Sequence, residues 1–264
     1  MTQFTAKDVQ RLRQSTGAGM MDAKRALQEN GGDFETAARW LREKGLAASA
    51  KRADRANEQG AVSVAVEGGG GAIVELRCET DYVAKSGEFR ALVDELARAV
   101  AVEGEEAAKA QAEAIDDLKV TLKENIDVGR VVRFESSDGA VLDSYLHVQN
   151  DRGVIAVLVE VAGGDRGLAH DVALHIASMR PEWVTRDQVP PERLAQEREE
   201  LEARTRNEGK PEAAIPKIVE GRLNGFFKEH VLLDQDFVKD NKVTIAKLLG
   251  GATITRFAQA AITA

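Results

Sequence analysis

Apolar positions change their spacing several times along the chain, and each change marks an element. Over residues 4–45 they recur three and four apart in short bursts, the period of packed helices. Thr5 with Asp8 three residues on forms a capping box, and Val9 and Leu12 mark the inner face of a first helix that Thr16-Gly17-Ala18-Gly19 ends. Met20 to Leu27 predicts a second helix, stopped by Asn30-Gly31-Gly32. Asp33 caps a third, with Phe34, Ala37, Ala38 and Leu41 on one face and Gly45 expected at its end. Leu46 to Gly60 has no such period and reads as a partly helical linker, with a domain boundary near residue 55.

Alternation then replaces the helical period. Val62, Val64 and Val66 lead into Gly68-Gly69-Gly70-Gly71, read as a flexible hairpin turn, and Ala72 to Cys78 returns as a buried strand. Helices follow over Glu88–Val100 and, as one element, over about Glu105–Lys123. Val131–Phe134 and Val141–Leu146 flank Ser136-Ser137-Asp138-Gly139, which predicts a second hairpin. Val154–Val161 is almost wholly apolar and is expected to be a central strand. A helix over about Gly167–Ser178 comes next. Pro190-Pro191 and Pro216 open two charged helices that form an antiparallel hairpin over 192–230. Its narrow apolar stripe predicts an arm that projects from the body, as a partner contact or a homodimer contact; the other reading folds it back on the core. Thr244–Leu249 is a short helix and Thr253–Phe257 a last strand. Strands followed by a helix therefore occur twice.

The fold class is α+β: a small three-helix, ubiquitin-associated-like domain with its linker (1–55), and two related subdomains (56–140 and 141–264). Each subdomain is an antiparallel sheet covered by helices, and the second carries the projecting hairpin.

Composition changes this picture in two ways. Aromatic residues make up 5% of 264 positions, so the cores are built from Ala, Val, Leu and Ile. The net charge of −8 argues against a general nucleic-acid binder. Residues 1–55 nevertheless hold eleven Lys or Arg against seven Asp or Glu, a net of +4 that leaves −12 for the rest. A basic first domain can steer onto an acidic partner or simply be a solvated mixed face. Cys78 is the single cysteine, which excludes an intrachain disulfide and suits a reducing compartment. Met1 leads directly into polar residues and no long apolar span follows, so the cytoplasm is expected and a membrane is not.

Portable catalytic chemistry is missing. The glycine run lacks the Gly-Lys-Ser/Thr of a phosphate loop and opens no helix. His147, His170, His175 and His230 are dispersed, and His170 and His175 are five apart, the wrong spacing for a metal pair on one helix face. No catalytic residue, metal or cofactor is expected. The chain reads as a binding protein rather than an enzyme.

The most informative stretch is Cys78-Glu79-Thr80-Asp81-Tyr82-Val83-Ala84-Lys85, between a buried strand and a helix. Thr80 and Asp81 are capping residues, and such junctions are rigid bases for a presented side chain. On its own the junction favours a plainer reading, in which Tyr82 and Val83 pack beneath the helix and Asp81 is an ordinary cap. Met20 and Met21, after a glycine turn, supply an adaptable contact surface, with one of the two expected to fill the core.

Two long segments carry a resemblance. Leu12 to Leu27 (LRQSTGAGMMDAKRAL) and Glu75 to Lys85 (ELRCETDYVAK) are similar to two signatures of the elongation factor Ts family. Ser144-Tyr145-Leu146-His147, His175-Ile176-Ala177, Gly209-Lys210-Pro211 and Lys217 to Leu223 fall in the family's order. The resemblance implies a guanine-nucleotide exchange factor that binds elongation factor Tu and speeds GDP release. Where the family motif has Thr-Asp-Phe-Val, this chain has Thr80-Asp81-Tyr82-Val83. In the family that aromatic ring wedges into the partner near its magnesium. Met20, Met21, Lys24 and His147 are implied as further partner contacts. Residues 258–264 match nothing in the family signatures. The alternative is a non-catalytic adaptor acting through the first three helices.

Overall fold

The computed structural model describes residues 4–262. Residues 1–3, on which the reading of the chain's start partly rests, and the last residues of the divergent tail, 263–264, lie outside them. Three helices open the chain: α1 (Ala6–Thr16), α2 (Met20–Glu29) and α3 (Phe34–Ala50). Thr5 and Asp8 form the full capping box, and Gly17 ends α1 at φ 64°, the left-handed backbone that glycine adopts without strain. Leu12, Ala23, Ala26, Leu27 and Ala37 are fully buried and make a core of their own.

Gly45 does not end α3. The helix runs on to Ala50, because at Gly45 it crosses the later helix α7 (Ala112–Leu122) so closely that an added Cβ would sit 2.5 Å from Val120 Cγ1. The glycine serves close approach, not termination. Arg42 reinforces the crossing through Glu113 at 2.7 Å and Asp117 at 2.9 Å.

The first sheet contains β1 (Gln59–Glu67), β2 (Gly70–Cys78) and β3 (Asp127–Glu135), antiparallel in that order. Only Gly68 and Gly69 form the turn, with φ of 62° and 80°, so it is a tight two-residue hairpin turn and not a loose loop. The next two glycines answer to packing: a Cβ on Gly70 would lie 2.2 Å from the Ala101 carbonyl oxygen, and one on Gly71 would lie 2.6 Å from Leu158. Between β2 and β3 come the single-turn helix α4 (Asp81–Ala84), α5 (Gly87–Glu103), α6 (Glu106–Ala110) and α7. The one helix expected over 105–123 is thus two. The break at Gln111 lets Ala107, Ala108, Ile115 and Leu118 all reach the same core.

The second sheet holds β4 (Ala140–Gln149), β5 (Arg152–Ala162) and β8 (Thr253–Ala261), with β5 central as its apolar run requires. The predicted hairpin of 131–146 is overturned. β3 pairs with β2 and β4 with β5, so Ser136–Gly139 passes the chain from one sheet to the other. Ser136 N–H donates to the Gly69 carbonyl and Ser137 N–H to Glu160, one tie to each sheet. After β5 come α8 (Arg166–Met179), α9 (Pro191–Asn207), α10 (Ile215–His230), the short ribbon β6 (Asp236–Phe237) and β7 (Asp240–Thr244), and α11 (Ile245–Leu249). Each sheet is therefore a hairpin whose second strand is rejoined, after helices, by a strand from much later in the chain.

The two sheets face each other through Val62, Ile73, Leu158, Ala156, Phe134 and Ala258. Their outer faces are covered by α5–α7 on one side and by α8 and α11 on the other. β2 and β5 are buried on both faces, which explains their nearly unbroken apolar runs. α10 buries Val219, Leu223, Phe226 and Phe227, whereas α9 buries only Thr205 and leaves its charged face in solvent.

Candidate functional site

Pairing of β2 with β1 stops at Cys78–Gln59, and the chain turns at once into α4. Thr80 is its N-cap, with the hydroxyl accepting from Val83 N–H at 3.3 Å. Val83 and Ala84 are buried in the core of the first sheet. At 3.6 residues per turn, Tyr82 lies roughly 150° around the helix from the direction midway between Val83 and Ala84. Burying Val83 and Ala84 thus turns Tyr82 outward, and its side chain is 83% exposed. The reading in which Tyr82 packs beneath the helix is excluded by that exposure.

Asp81 is exposed and paired with Lys85 Nζ at 2.5 Å, one turn along. That hydrogen bond, with the lysine's charge, holds the carboxyl below its ordinary range, so Asp81 is ionised at neutral pH. Beneath the turn, Cys78 donates to the Thr80 carbonyl. Burial, seconded by the charge of Glu124, pushes its thiol up to about 12, and it stays an inert neutral thiol.

A four-residue helix has no stability of its own. This one is held from the segment that follows α7. Glu124 Oε2 accepts the backbone N–H groups of Glu79 at 3.0 Å and Thr80 at 3.1 Å, and Oε1 accepts the Thr80 hydroxyl at 2.6 Å. Glu79 in turn accepts the Asn125 N–H at 2.7 Å. Asn125 is buried, and its side-chain amide donates to the carbonyls of Ala53 and Arg55. Sequence reasoning missed Glu124 and Asn125. Nothing local marks them, since their partners lie more than forty residues away.

The other expected contact residues fall into two places. Met21 and Lys24 lie on the outer side of α2, away from the buried Ala23, Ala26 and Leu27, and Met20 is exposed at the first position of the helix. Both methionines are exposed, at 47% and 70%, so neither fills the core as one was expected to. His147 lies on β4, exposed, with its ring stacked on Tyr145 at 6.5 Å between centroids. The β4–β5 turn is carried to the same end of the molecule as Tyr82. The buried Arg152 that follows it donates to the Gly60 carbonyl at 2.8 Å and to Gln59 at 3.0 Å, and β1 pairs those two residues with Arg77 and Cys78. Val148, 56% exposed, adds an apolar side chain beside His147. Its exposure was not legible, because an alternating strand puts either parity outward until its partner is known.

The remaining histidines have structural partners. His170 meets Asp143 at 2.8 Å. His230 meets Glu182 at 2.8 Å. His175 is fully buried; its Nδ1 accepts from Val238 N–H, which leaves Nε2 to donate to Gln235. Among the described residues no group of three or more His, Cys, Asp or Glu is arranged to hold a metal ion. None of their helices is long and apolar enough to cross a membrane.

Comparison with known proteins bears on this geometry. A family model described as Elongation factor TS matches residues 79–263, from Glu79, just before α4, through β8. That span includes most of the 258–264 tail, which carried no recognised signature. Elongation factor Ts of Mycobacterium tuberculosis (strain ATCC 25177 / H37Ra) is 46% identical over 271 residues, covering 97% of each chain. The proteins of that name from Mycobacterium avium (strain 104) and Mycolicibacterium vanbaalenii are 45% and 44% identical, again over 97% of each chain.

Proposed function

Because the chain belongs to the elongation factor Ts family, we propose that it is a guanine-nucleotide exchange factor: it binds elongation factor Tu carrying GDP, displaces the bound magnesium and speeds GDP release. The observation that carries this reading is the Thr80–Val83 tip, inside the matched span, where a fixed backbone holds an aromatic ring almost wholly in solvent. An exposed aromatic ring costs the free protein solvation, and it brings a large contact area with only two side-chain torsions to freeze.

Magnesium demands near-ideal octahedral geometry and bridges nucleotide phosphate to protein oxygens. A ring that shifts one element of that site degrades the coordination without touching GDP. The effect is a coupling between two ligands of one protein and is reciprocal: a factor that weakens GDP binding must itself bind the nucleotide-free partner more tightly. Each tenfold loss of GDP affinity requires about 1.4 kcal/mol of that differential binding. Tyr82 supplies the wedge. Asp81, ionised and paired with Lys85, sets a carboxylate acceptor beside it. Met20, Met21 and Lys24 on α2, with His147 near the tip, supply binding that does not depend on the wedge. α9 presents a charged outer face free of core contacts, which supports a further role for the α9–α10 hairpin as an arm between copies of this chain.

The test is stopped-flow release of a fluorescent GDP analogue from elongation factor Tu, with unlabelled GDP in excess and this protein substoichiometric. A large acceleration that Tyr82→Ala reduces at least tenfold is expected. If the wild-type protein gives no acceleration with a cognate partner, the exchange reading fails and a non-catalytic adaptor acting through the first three helices takes its place.

A further inference from the structure

The segment 123–126 ends α7 and does three things in succession. Lys123 closes the helix in the left-handed region, at φ 60°, and turns the chain sharply. Glu124 then gathers three donors from residues 79 and 80. Asn125 ties the segment to the carbonyls of Ala53 and Arg55, and Ile126 is fully buried in the core of the first sheet. The strap is thus anchored on both sides of Glu124, and its carboxylate is pre-aimed.

We propose that Glu124 is the positioning residue of the exchange tip: its carboxylate fixes the backbone of Glu79 and Thr80, and with it the direction in which Tyr82 leaves the protein. This rests on the exchange reading of Tyr82. The β1–β2 ladder ends at Cys78, so the N–H groups of Glu79 and Thr80 have no strand partner. One ionised carboxylate takes both, and charge-assisted bonds of this kind are stronger and more directional than neutral ones. The contact Thr80 makes inside α4 is the longer one, 3.3 Å against 2.6 Å to Glu124, so the grip from outside the helix dominates. The return bond from Asn125 N–H to Glu79 makes the clasp reciprocal, and releasing one carboxylate loosens the seat of the other. Val83 and Ala84 anchor only the C-terminal side of the turn. With Glu124 gone, the tip pivots on that anchor, and the partner must order it at the moment of binding, which draws on the binding free energy that drives exchange.

Glu124→Ala, Glu124→Asp and Glu124→Gln in the full chain separate positioning from general stability. GDP release is measured against factor concentration, giving a plateau rate and a half-saturating concentration. Loss of folded protein raises the apparent half-saturating concentration and leaves the plateau. Loss of positioning lowers the plateau. We expect the plateau to fall about tenfold in Glu124→Ala and Glu124→Asp, since aspartate keeps the charge but is too short to reach all three donors. Glu124→Gln keeps an oxygen for the two amides and can donate to the Thr80 hydroxyl, so it is expected within about threefold of wild type. An unchanged plateau in both Glu124→Ala and Glu124→Asp overturns the proposal. Amide hydrogen exchange on the free protein gives an arm independent of activity. Residues 79, 80 and 125 are expected to lose protection in Glu124→Asp while 89–100 keep theirs; unchanged protection at 79 and 80 overturns the clasp. Wild-type protein that fails to accelerate release, with that protection change present, refutes the exchange reading and leaves the clasp standing.

Discussion

A single carboxylate, Glu160, pins the end of the second sheet to the crossing between sheets. It is 1% exposed and meets Thr255 Oγ1 at 2.7 Å, Arg256 Nε at 3.0 Å and Ser137 N–H at 2.8 Å. Burial alone raises its pKa; the hydroxyl, the amide and the guanidinium outweigh it and bring the value down from 4.5 to about 2. The folded state therefore refuses a proton that the unfolded chain accepts as pH falls through 4.5. The contribution is complete above that value and is lost by about pH 2, an upper bound of about 3 kcal/mol. Urea unfolding of Glu160→Gln is expected to show lower stability than wild type at neutral pH, with the gap narrowing steadily on acidification. A gap independent of pH would mean that the charge does not matter there. Tyr82 is the opposite kind of residue. Its hydroxyl has no hydrogen-bond partner among the described residues, so Tyr82→Phe is expected to shift unfolding free energy by less than about 0.5 kcal/mol. Any change in exchange rate in that variant belongs to the complex alone.

Elements show where sequence reasoning held and where it lost its grip. The strand, tip and helix from Ile73 to Val100 are local: an apolar run, a capping residue and a helical period, each set by neighbours. The assignment of β3 and β4 to different sheets is not local. Asp138-Gly139 has hairpin chemistry, and turn residues allow a reversal of direction without choosing which strands pair. The choice was made by β2 and β5, whose edges were open. The clasp at the tip was illegible for the same reason. Gly45 shows the limit within a single residue, since the freedom that ends many helices serves here to admit Val120. Its substitution has opposing effects. Gly45→Ala gains about 1 kcal/mol of helix propensity, but its Cβ would meet three Val120 atoms within 3.3 Å. Valine is stiff at χ1, so rotation cannot clear all three and the helices must separate. Overpacking costs about 1–3 kcal/mol, so a net destabilisation of about 1 kcal/mol is expected. Adding Val120→Ala should recover it, and a double-mutant cycle by chemical denaturation measures the coupling. Additive effects would show that the crossing tolerates the extra methyl.

At the scale of the whole molecule, the first three helices are held to the rest by little. Their core shares no buried residue with the sheets. The crossing of α3 on α7 rests on the close approach of Gly45 to Val120, on Arg52 donating to the Lys119 carbonyl and on Arg42 with its two exposed acidic partners, and exposed ion pairs contribute about 0–1 kcal/mol each. An open surface cleft of about 1130 Å³ lies between these helices and α5 and α7. On the exchange reading, such an attachment suits a unit that contributes contact area to a partner without setting the geometry of the tip. Ala53 and Arg55 are different, because Asn125 holds their carbonyls as part of the strap behind Tyr82. Removing residues 1–51 while keeping 52–264 should therefore leave the two sheets folded and the clasp intact. On the exchange reading the half-saturating concentration for GDP release rises by about a hundredfold, the size expected when one of two linked contacts is lost, and the plateau rate stays within about threefold. An adaptor acting through α2 would lose all binding in the same truncation. A plateau that collapses while the sheets remain folded would place the helices within the exchange step and tie the tip's action to the docking of α3 on α7.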